Sequence, residues 1–390
     1  MRVLHVIESM ERGSAESMIV EHVRLAGADV ESLVVVLDHG GTSLERAAAA
    51  GARTFAIASQ FPRGFHAWRE LAKLMRRERV TVVNAHDSRA ARIAAMAALW
   101  ARVPVIIRTE YGVHYPGRTS EFETALDSIL TRFTCRVMCT CEAVRLSHAV
   151  RMPWAGDRFT TVLAGVTAPA MFRTRAAVRS ELGLLESDRM VLAAGSLIPA
   201  QAQHVLIEAF HRVSRRSSGA RLFVEGEGPL RETLEREATD LGLAERVHFL
   251  GARDDLAALM EAADVFALTS VREGLAIPLL EAMRAGCPAV ATRIGGTPDA
   301  IADGETGWIV PPNDPAATAD ALLHVLTDRP QARAFAARSR DRWARGFTAE
   351  RMVAETERWY RAERAAARAA GSRHARGVAS RWSDAPESPR

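Results

Sequence analysis

The run Leu268-Thr269-Ser270-Val271-Arg272-Glu273-Gly274-Leu275-Ala276-Ile277-Pro278-Leu279-Leu280-Glu281-Ala282-Met283-Arg284-Ala285-Gly286-Cys287-Pro288, continued by Gly295-Gly296-Thr297-Pro298, decides how the chain is read. Residues 265–268 are a short apolar run, read as a buried parallel strand, and it empties into a polar turn carrying Glu273 and Gly274. Pro278 sits where a first helical turn tolerates proline, and Leu279, Leu280 and Met283 supply an apolar face. Strand, turn and helix in that order form a βα unit, and open α/β sheets bind ligands at the strand edge where such units turn. Glu273 in the turn and Glu281 on the helix flank that helix start, whose amides favour an anion. A single glutamate there would only complement the helix dipole. Two glutamates, flanking Gly274 and Pro278 and followed by two further Gly-Pro turns, point to a site.

Upstream, the same unit recurs. Residues 190–194 form an apolar strand running into Gly195-Ser196-Leu197-Ile198-Pro199-Ala200-Gln201-Ala202, followed by a helix with Val205, Leu206, Ala209, Phe210 and Val213 on one face. Residues 221–225 lead into Gly226-Glu227-Gly228-Pro229, and 247–251 lead towards Arg253. The first half repeats the pattern with apolar strands at 2–7, 34–37, 54–57, 80–85, 105–109 and 137–140, separated by helical stretches. This β-then-α alternation predicts parallel, doubly wound sheets. Strand ends carry the polar residues: Arg12-Gly13-Ser14-Ala15-Glu16 after the first, Asn84-Ala85-His86-Asp87-Ser88 after the fourth, and Arg108-Thr109-Glu110-Tyr111-Gly112-Val113-His114 after the fifth.

Composition bounds the function. The chain has 390 residues, 48% of them hydrophobic and 25% charged, as expected of roughly two domains with sizeable cores. A net charge of +4 with scattered basic residues gives nucleic-acid binding no support, and a basic face leaves room for peripheral contact with an anionic membrane. Cys135, Cys139, Cys141 and Cys287 are too few and too ill-spaced for a disulfide framework or a zinc site and read as small apolar filler. Met1 leads straight into a strand, and no apolar segment is long enough to span a bilayer. The expectation is a cytoplasmic protein, with any membrane contact peripheral on the inner membrane.

The stretch 273–298 resembles the signature of the retaining GT-B glycosyltransferases of family 4, also called glycosyl transferases group 1. Two glutamates eight positions apart, Glu-Ala-Met, Gly-x-Pro and Gly-Gly-x-Pro carry the resemblance, which extends over residues 1–368. It implies an α/β fold of the GT-B type, two Rossmann-like doubly wound domains facing a cleft. The implied division is 1–167 as the acceptor-side domain, 168–348 as the nucleotide-sugar domain, 349–369 as a helix crossing back to the first, and 370–390 as a disordered tail. It implies a sugar transferred from a nucleotide-diphosphate sugar, the co-substrate, to a hydroxyl of a glycan or lipid-linked acceptor. Transfer would retain configuration, in cell-surface polysaccharide or glycolipid synthesis, with no cofactor and no metal.

By this resemblance Glu273 with Gly274, Leu275 and Ala276 holds the donor sugar, and Glu281 the ribose. Gly195, Gly226 and Arg253 line the nucleotide, and Gly13 and Ser14 face the donor phosphates from the first domain. The departures are as informative. The family's diphosphate-binding arginine and lysine are replaced by Ser196 and Gln201, both neutral. The family's His-Thr-Glu-His-Gly reads Arg108-Thr109-Glu110-Tyr111-Gly112, so its active-site histidine has no counterpart in place. Glu110 and His114 are the catalytic candidates there, with His86 nearby. These departures motivate a rival reading, a degenerate transferase that binds a sugar nucleotide or a protein partner without turnover. A sugar-nucleotide epimerase on the same fold fits the glutamate signature less well. A glucan phosphorylase needs a lysine for pyridoxal phosphate, and Lys73 is the only lysine, on a helix of the first domain.

Overall fold

The computed structural model describes residues 1–11, 13–57, 67–114, 121–168 and 173–383, with side chains at 121 and beyond 370 left aside. Arg12 of the first polar turn and residues 384–390 of the expected tail lie outside the described residues.

The first domain runs β1 (Arg2–Ile7), α1 (Ser14–Arg24), β2 (Glu31–Val36), α2 (Thr42–Ala49), β3 (Arg53–Ala56), α3 (Ala67–Arg77), β4 (Val82–His86), α4 (Ser88–Ala101), β5 (Val105–Glu110), α5 (Glu121–Thr131), β6 (Arg136–Cys139), α6 (Glu142–Arg151) and β7 (Phe159–Thr161). All its strands are parallel, in the order β3-β2-β1-β4-β5-β6-β7. The second runs α7 (Arg175–Glu181), β8 (Arg189–Ala194), α8 (Gln203–Arg216), β9 (Ala220–Glu225), α9 (Arg231–Asp240), β10 (Val247–Gly251), α10 (Leu256–Ala262), β11 (Val265–Leu268), α11 (Ile277–Ala285), β12 (Ala289–Thr292), α12 (Thr297–Ala300), β13 (Gly307–Val310), α13 (Pro315–Thr327) and α14 (Arg329–Gly346). Its parallel sheet is ordered β10-β9-β8-β11-β12-β13.

Both orders reverse once, between β1 and β4 and between β8 and β11. A crevice opens at such a reversal, because the loops leaving the two central strands diverge to opposite faces of the sheet. The central strands are apolar on both faces and wholly buried, Val3, Leu4, Val6, Val191, Leu192, Val265 and Phe266 among them, as a sheet covered by helices on both sides requires.

The domains are tied at several points. Val166 pairs with Thr348 where the two crossings pass side by side, and one apolar cluster spans both domains, joining Cys141 and Val144 to Leu275 and Ala276. α15 (Ala349–Ser383) then returns to the first domain. Its Tyr360, buried, accepts from Asn84 Nδ2 at 2.8 Å, Glu357 takes the Gly27 amide at 2.9 Å, and Glu363 pairs with Arg136 at 2.7 Å.

α15 continues to Ser383, into the stretch expected as a tail. The reason is local, because residues 364–376 are dominated by alanine and arginine, among the strongest helix formers. The four cysteines are unpaired; burial raises the Cys141 thiol to about 11 and pushes Cys139 and Cys287 up as well, consistent with filler. No described helix is long and apolar enough to cross a membrane.

Candidate functional site

The loops that leave β8 and β11 meet at the second-domain switch point. Val271 and Arg272 both direct their amides at the Ala200 carbonyl, at 2.8 and 3.4 Å, so the two loops share one wall. Gly195 (φ +145°) and Gly226 (φ +122°) pack back to back: a β-carbon on Gly226 would overlap the Gly195 carbonyl oxygen. Only glycine fits that approach, so the packing of the two βα turns by itself requires glycine at 226.

Gln201 is the centre of the wall. Its Nε2 donates to Glu273 Oε2 at 2.7 Å, and its Oε1 accepts from Ser270 Oγ at 2.7 Å. Burial raises the Glu273 carboxyl, an effect the Gln201 bond and its own loop amide partly offset. Ser196 is exposed at the mouth of the same loop and engages Gln203 Nε2 only through its carbonyl, at 3.0 Å.

Glu281 lies on α11 and accepts from Arg284 Nε at 2.9 Å. Burial raises it, Arg284 pulls it down, and Glu21 of α1, across the interdomain gap, adds repulsion. Ala276 caps α11 and has no side-chain oxygen for the first-turn amides. In that first turn Pro278 carries no amide proton and the Leu279 amide is bonded to the Ala276 carbonyl at 3.1 Å. Leu275 and Ala276 bury their side chains in the shared core, so only their backbone can face a ligand.

Gly274 is the hinge of the interface. A β-carbon there would overlap the Tyr111 carbonyl oxygen of the first domain, while its own carbonyl accepts the Gly296 amide at 2.6 Å. Asp299 completes the seam by accepting the Glu142 amide at 2.8 Å, capping the start of α6, whose own cap residue Cys141 makes no side-chain bond. No sequence signal marked either contact, because each joins residues far apart in the chain.

In the first domain the candidates divide. Gly13 precedes α1 as its cap residue and Ser14 begins the helix. Glu110 is not the open carboxylate expected of it: it is 5% exposed, ion-paired with Arg108 and 3.8 Å from His148 Nε2, drawn inward by the buried guanidinium. His86 is buried too, bonded to His5 Nδ1 at 3.0 Å and to the Tyr111 hydroxyl at 2.5 Å. Burial holds His86 and His5 neutral, His5 at about 3. His114 stays partly exposed; its amide donates to Ser147 Oγ at 3.0 Å, and desolvation and Arg151 lower its imidazole.

Asp87, quoted with its strand end but not singled out, stands at the β1/β4 switch point. It takes the Ala90 amide at 2.7 Å and the Glu8 amide at 3.2 Å, and burial raises it to about 6. Arg253 is engaged by Asp255, at 2.7 Å, and by Glu181, at 3.0 Å, and it holds Asp255 down to about 2. Among the described residues no group of three or more His, Cys, Asp or Glu side chains could hold a metal ion.

Residues 174–342 match the family model described as glycosyl transferases group 1, and residues 15–167 the model described as glycosyltransferase family 4. Among curated relatives, the chain is 30% identical over 183 residues to the N-acetyl-alpha-D-glucosaminyl L-malate synthase of Bacillus anthracis, covering 47% of this chain and 48% of that one. It is 37% identical over 182 residues to the GDP-mannose-dependent alpha-(1-6)-phosphatidylinositol monomannoside mannosyltransferase of Mycobacterium tuberculosis, covering 44% and 47%. The match thus spans about half the length of these relatives. Among solved structures, Anabaena Alr3699/HepE in complex with UDP-glucose superposes with a TM-score of 0.83 at 21% identity, over 91% of this chain and 99% of that one.

Proposed function

Because the chain belongs to the GT-B glycosyltransferases of family 4 and group 1, we propose that it moves a sugar from a nucleotide-diphosphate sugar to an acceptor hydroxyl with retention. The observation that carries the reading is the pair Glu273 and Glu281, flanking the start of α11 at the switch point, with Glu281 near Glu21 of the first domain. Glu273 and the backbone of 274–276 hold the donor sugar, whose hydroxyls offer donors to a carboxylate. Glu281 takes the ribose hydroxyls. The acceptor enters from the first domain, past Gly13, Ser14, Asp87 and His114. Its oxygen forms a bond to the anomeric carbon on the face from which the phosphate oxygen departs, and the departing phosphate takes the hydroxyl proton. This needs no carboxylate nucleophile and no metal. UDP- and GDP-sugars are the donors to try first, since a structural neighbour binds UDP-glucose and a relative is named for GDP-mannose. Polysaccharide or glycolipid assembly in the cytoplasm is the setting.

A second reading, donor binding without transfer, is favoured by one observation: the group beside Glu273 is the neutral Gln201, and the neighbouring position is Ser196. A diphosphate leaving group gains charge as its bond breaks, and a fixed cation there contributes a few kcal/mol of transition-state stabilisation. Arg272, branching from the wall shared with Ala200, is the candidate substitute.

The test is to incubate the protein with a panel of nucleotide sugars and measure binding and nucleotide release separately. Glu273→Ala and Glu281→Ala are each expected to weaken binding or turnover, and unchanged titrations for both overturn the reading. Binding without release, across plausible acceptors, favours the second.

A further inference from the structure

The second domain carries a groove of about 160 Å³ at the edge of its sheet opposite the loops that hold Gln201 and Glu273. It crosses the starts of β8, β11 and β12, where Arg189, Asp264 and Pro288 line it. The junction of α13 and α14 closes the other side, with Val325 and Leu326 near the end of the first helix and Arg329 and Arg333 at the beginning of the second.

The cations of this groove are unengaged. Arg329 and Arg333 are exposed, stand four positions apart on α14, and have neither a carboxylate nor a hydrogen-bond partner among the described residues. Arg189 is anchored through Nη1 alone, to the Ser187 and Asp188 carbonyls at 3.0 and 3.2 Å. The one carboxylate in the lining, Asp264, is already neutralised: Oδ1 pairs with Arg175 at 2.6 Å, and Oδ2 meets Arg179 at 3.2 Å and the Met190 amide at 2.8 Å. Asp328, next to the groove, caps α14 by accepting the Gln331 amide at 3.0 Å. Beyond that cap α14 has no acid in its first turn. A helix start favours carboxylates, and like charges at i and i+4 repel, so Arg329 and Arg333 destabilise the empty helix start. An anion lying between them offsets both effects.

We propose that the groove binds a small phosphate monoester. Its three guanidinium groups match the three terminal oxygens of such a phosphate, which the planar arginine fork bonds in pairs. Pro288, Val325 and Leu326 supply an apolar wall for a short carbon body. The volume equals that of about five waters, room for a phosphate on about three carbons and too little for a nucleotide. β8, six residues or about 20 Å long, separates the groove from the loops at the other edge. The proposal therefore stands apart from the transfer reaction.

The experiment titrates the full chain with glycerol 3-phosphate at fixed ionic strength, read by calorimetry and by melting temperature. Binding is expected to saturate at a single site, and glycerol at the same concentration to be inert. The double variant Arg329→Gln/Arg333→Gln loses at least about ten-fold in affinity for glycerol 3-phosphate. Its ligand-free melting temperature stays equal or rises, because a like-charge pair is removed. Arg338→Gln, exposed on the same helix but outside the groove, binds as the wild type does. The proposal is overturned if no saturable binding appears, if glycerol binds as well, or if the double variant titrates like the wild type. It is also overturned if Arg338→Gln weakens binding as much, the effect then being the general charge of α14. Displacement of glycerol 3-phosphate by UDP overturns it too, since the phosphate would then occupy the cleft between the domains. No arm of the test requires sugar transfer, so its failure and the failure of that reading are told apart.

Discussion

Gln201 donates to Glu273 at 2.7 Å while accepting from Ser270 at 2.7 Å, which makes one neutral amide the bridge between the loops that leave β8 and β11. The same atoms that orient the glutamate leave it without a compensating charge, and burial raises its carboxyl accordingly.

Gln201→Lys places a point charge where that amide stands. The Glu273 carboxyl then falls back towards its ordinary range, and a diphosphate beside it gains a counter-ion. Nucleotide-sugar affinity or turnover is expected to rise by about ten-fold or more, read by calorimetry and by nucleotide release. An unchanged or weaker donor titration would place the diphosphate elsewhere.

Gly274→Ala tests the seam. The added methyl meets the Tyr111 carbonyl oxygen, a backbone atom that cannot rotate away. Overpacking of this kind costs about 1–3 kcal/mol, unless the domains separate to relieve it. Denaturant unfolding and small-angle scattering read the two responses, and wild-type values in both would show that the domains do not meet there in solution.

Asp127→Asn leaves Arg92, Arg108 and Arg151 facing a neutral group beneath α5, with Arg108 and Arg151 both largely buried. Removing one partner from a buried ionic cluster costs about 3–5 kcal/mol. A urea midpoint within error of wild type would mean that water already screens this cluster.

The buried imidazoles set a pH dependence. A histidine whose folded pKa lies below its unfolded value of about 6.5 contributes its full stability above that pH and loses it as pH falls towards the folded value. With His5 held at about 3 and His86 also depressed, the window runs downward from about 6.5. Each such imidazole removes about 1.4 kcal/mol per pH unit within it. Unfolding free energies measured between neutral pH and pH 5 are expected to fall steeply, and His5→Asn to flatten the slope; parallel slopes for both proteins would contradict the assignment.

Much of the molecule was open to reading along the chain. The alternation of apolar strands with amphipathic helices set the parallel sheets, and Glu273, Gly274, Pro278 and Glu281 marked the candidate site at one sheet edge, because a βα turn is local and its residues are adjacent. The neutral pair Ser196 and Gln201 was visible for the same reason. The position of Glu110 was not, since an acidic residue at a strand end reads as a cleft group until a buried arginine is found beside it.

The sequence by itself determined the repeated βα units, the apolar cores and the chemistry offered at each strand end, because those depend on side-chain type and periodicity. The tertiary structure alone decided which of those groups meet. Gln201 and Glu273 stand 72 positions apart, and Gly274 and Tyr111 belong to different domains. Hydrogen bonds and steric contacts act over a few ångströms, so they are fixed only when strand order brings separate loops to one crevice.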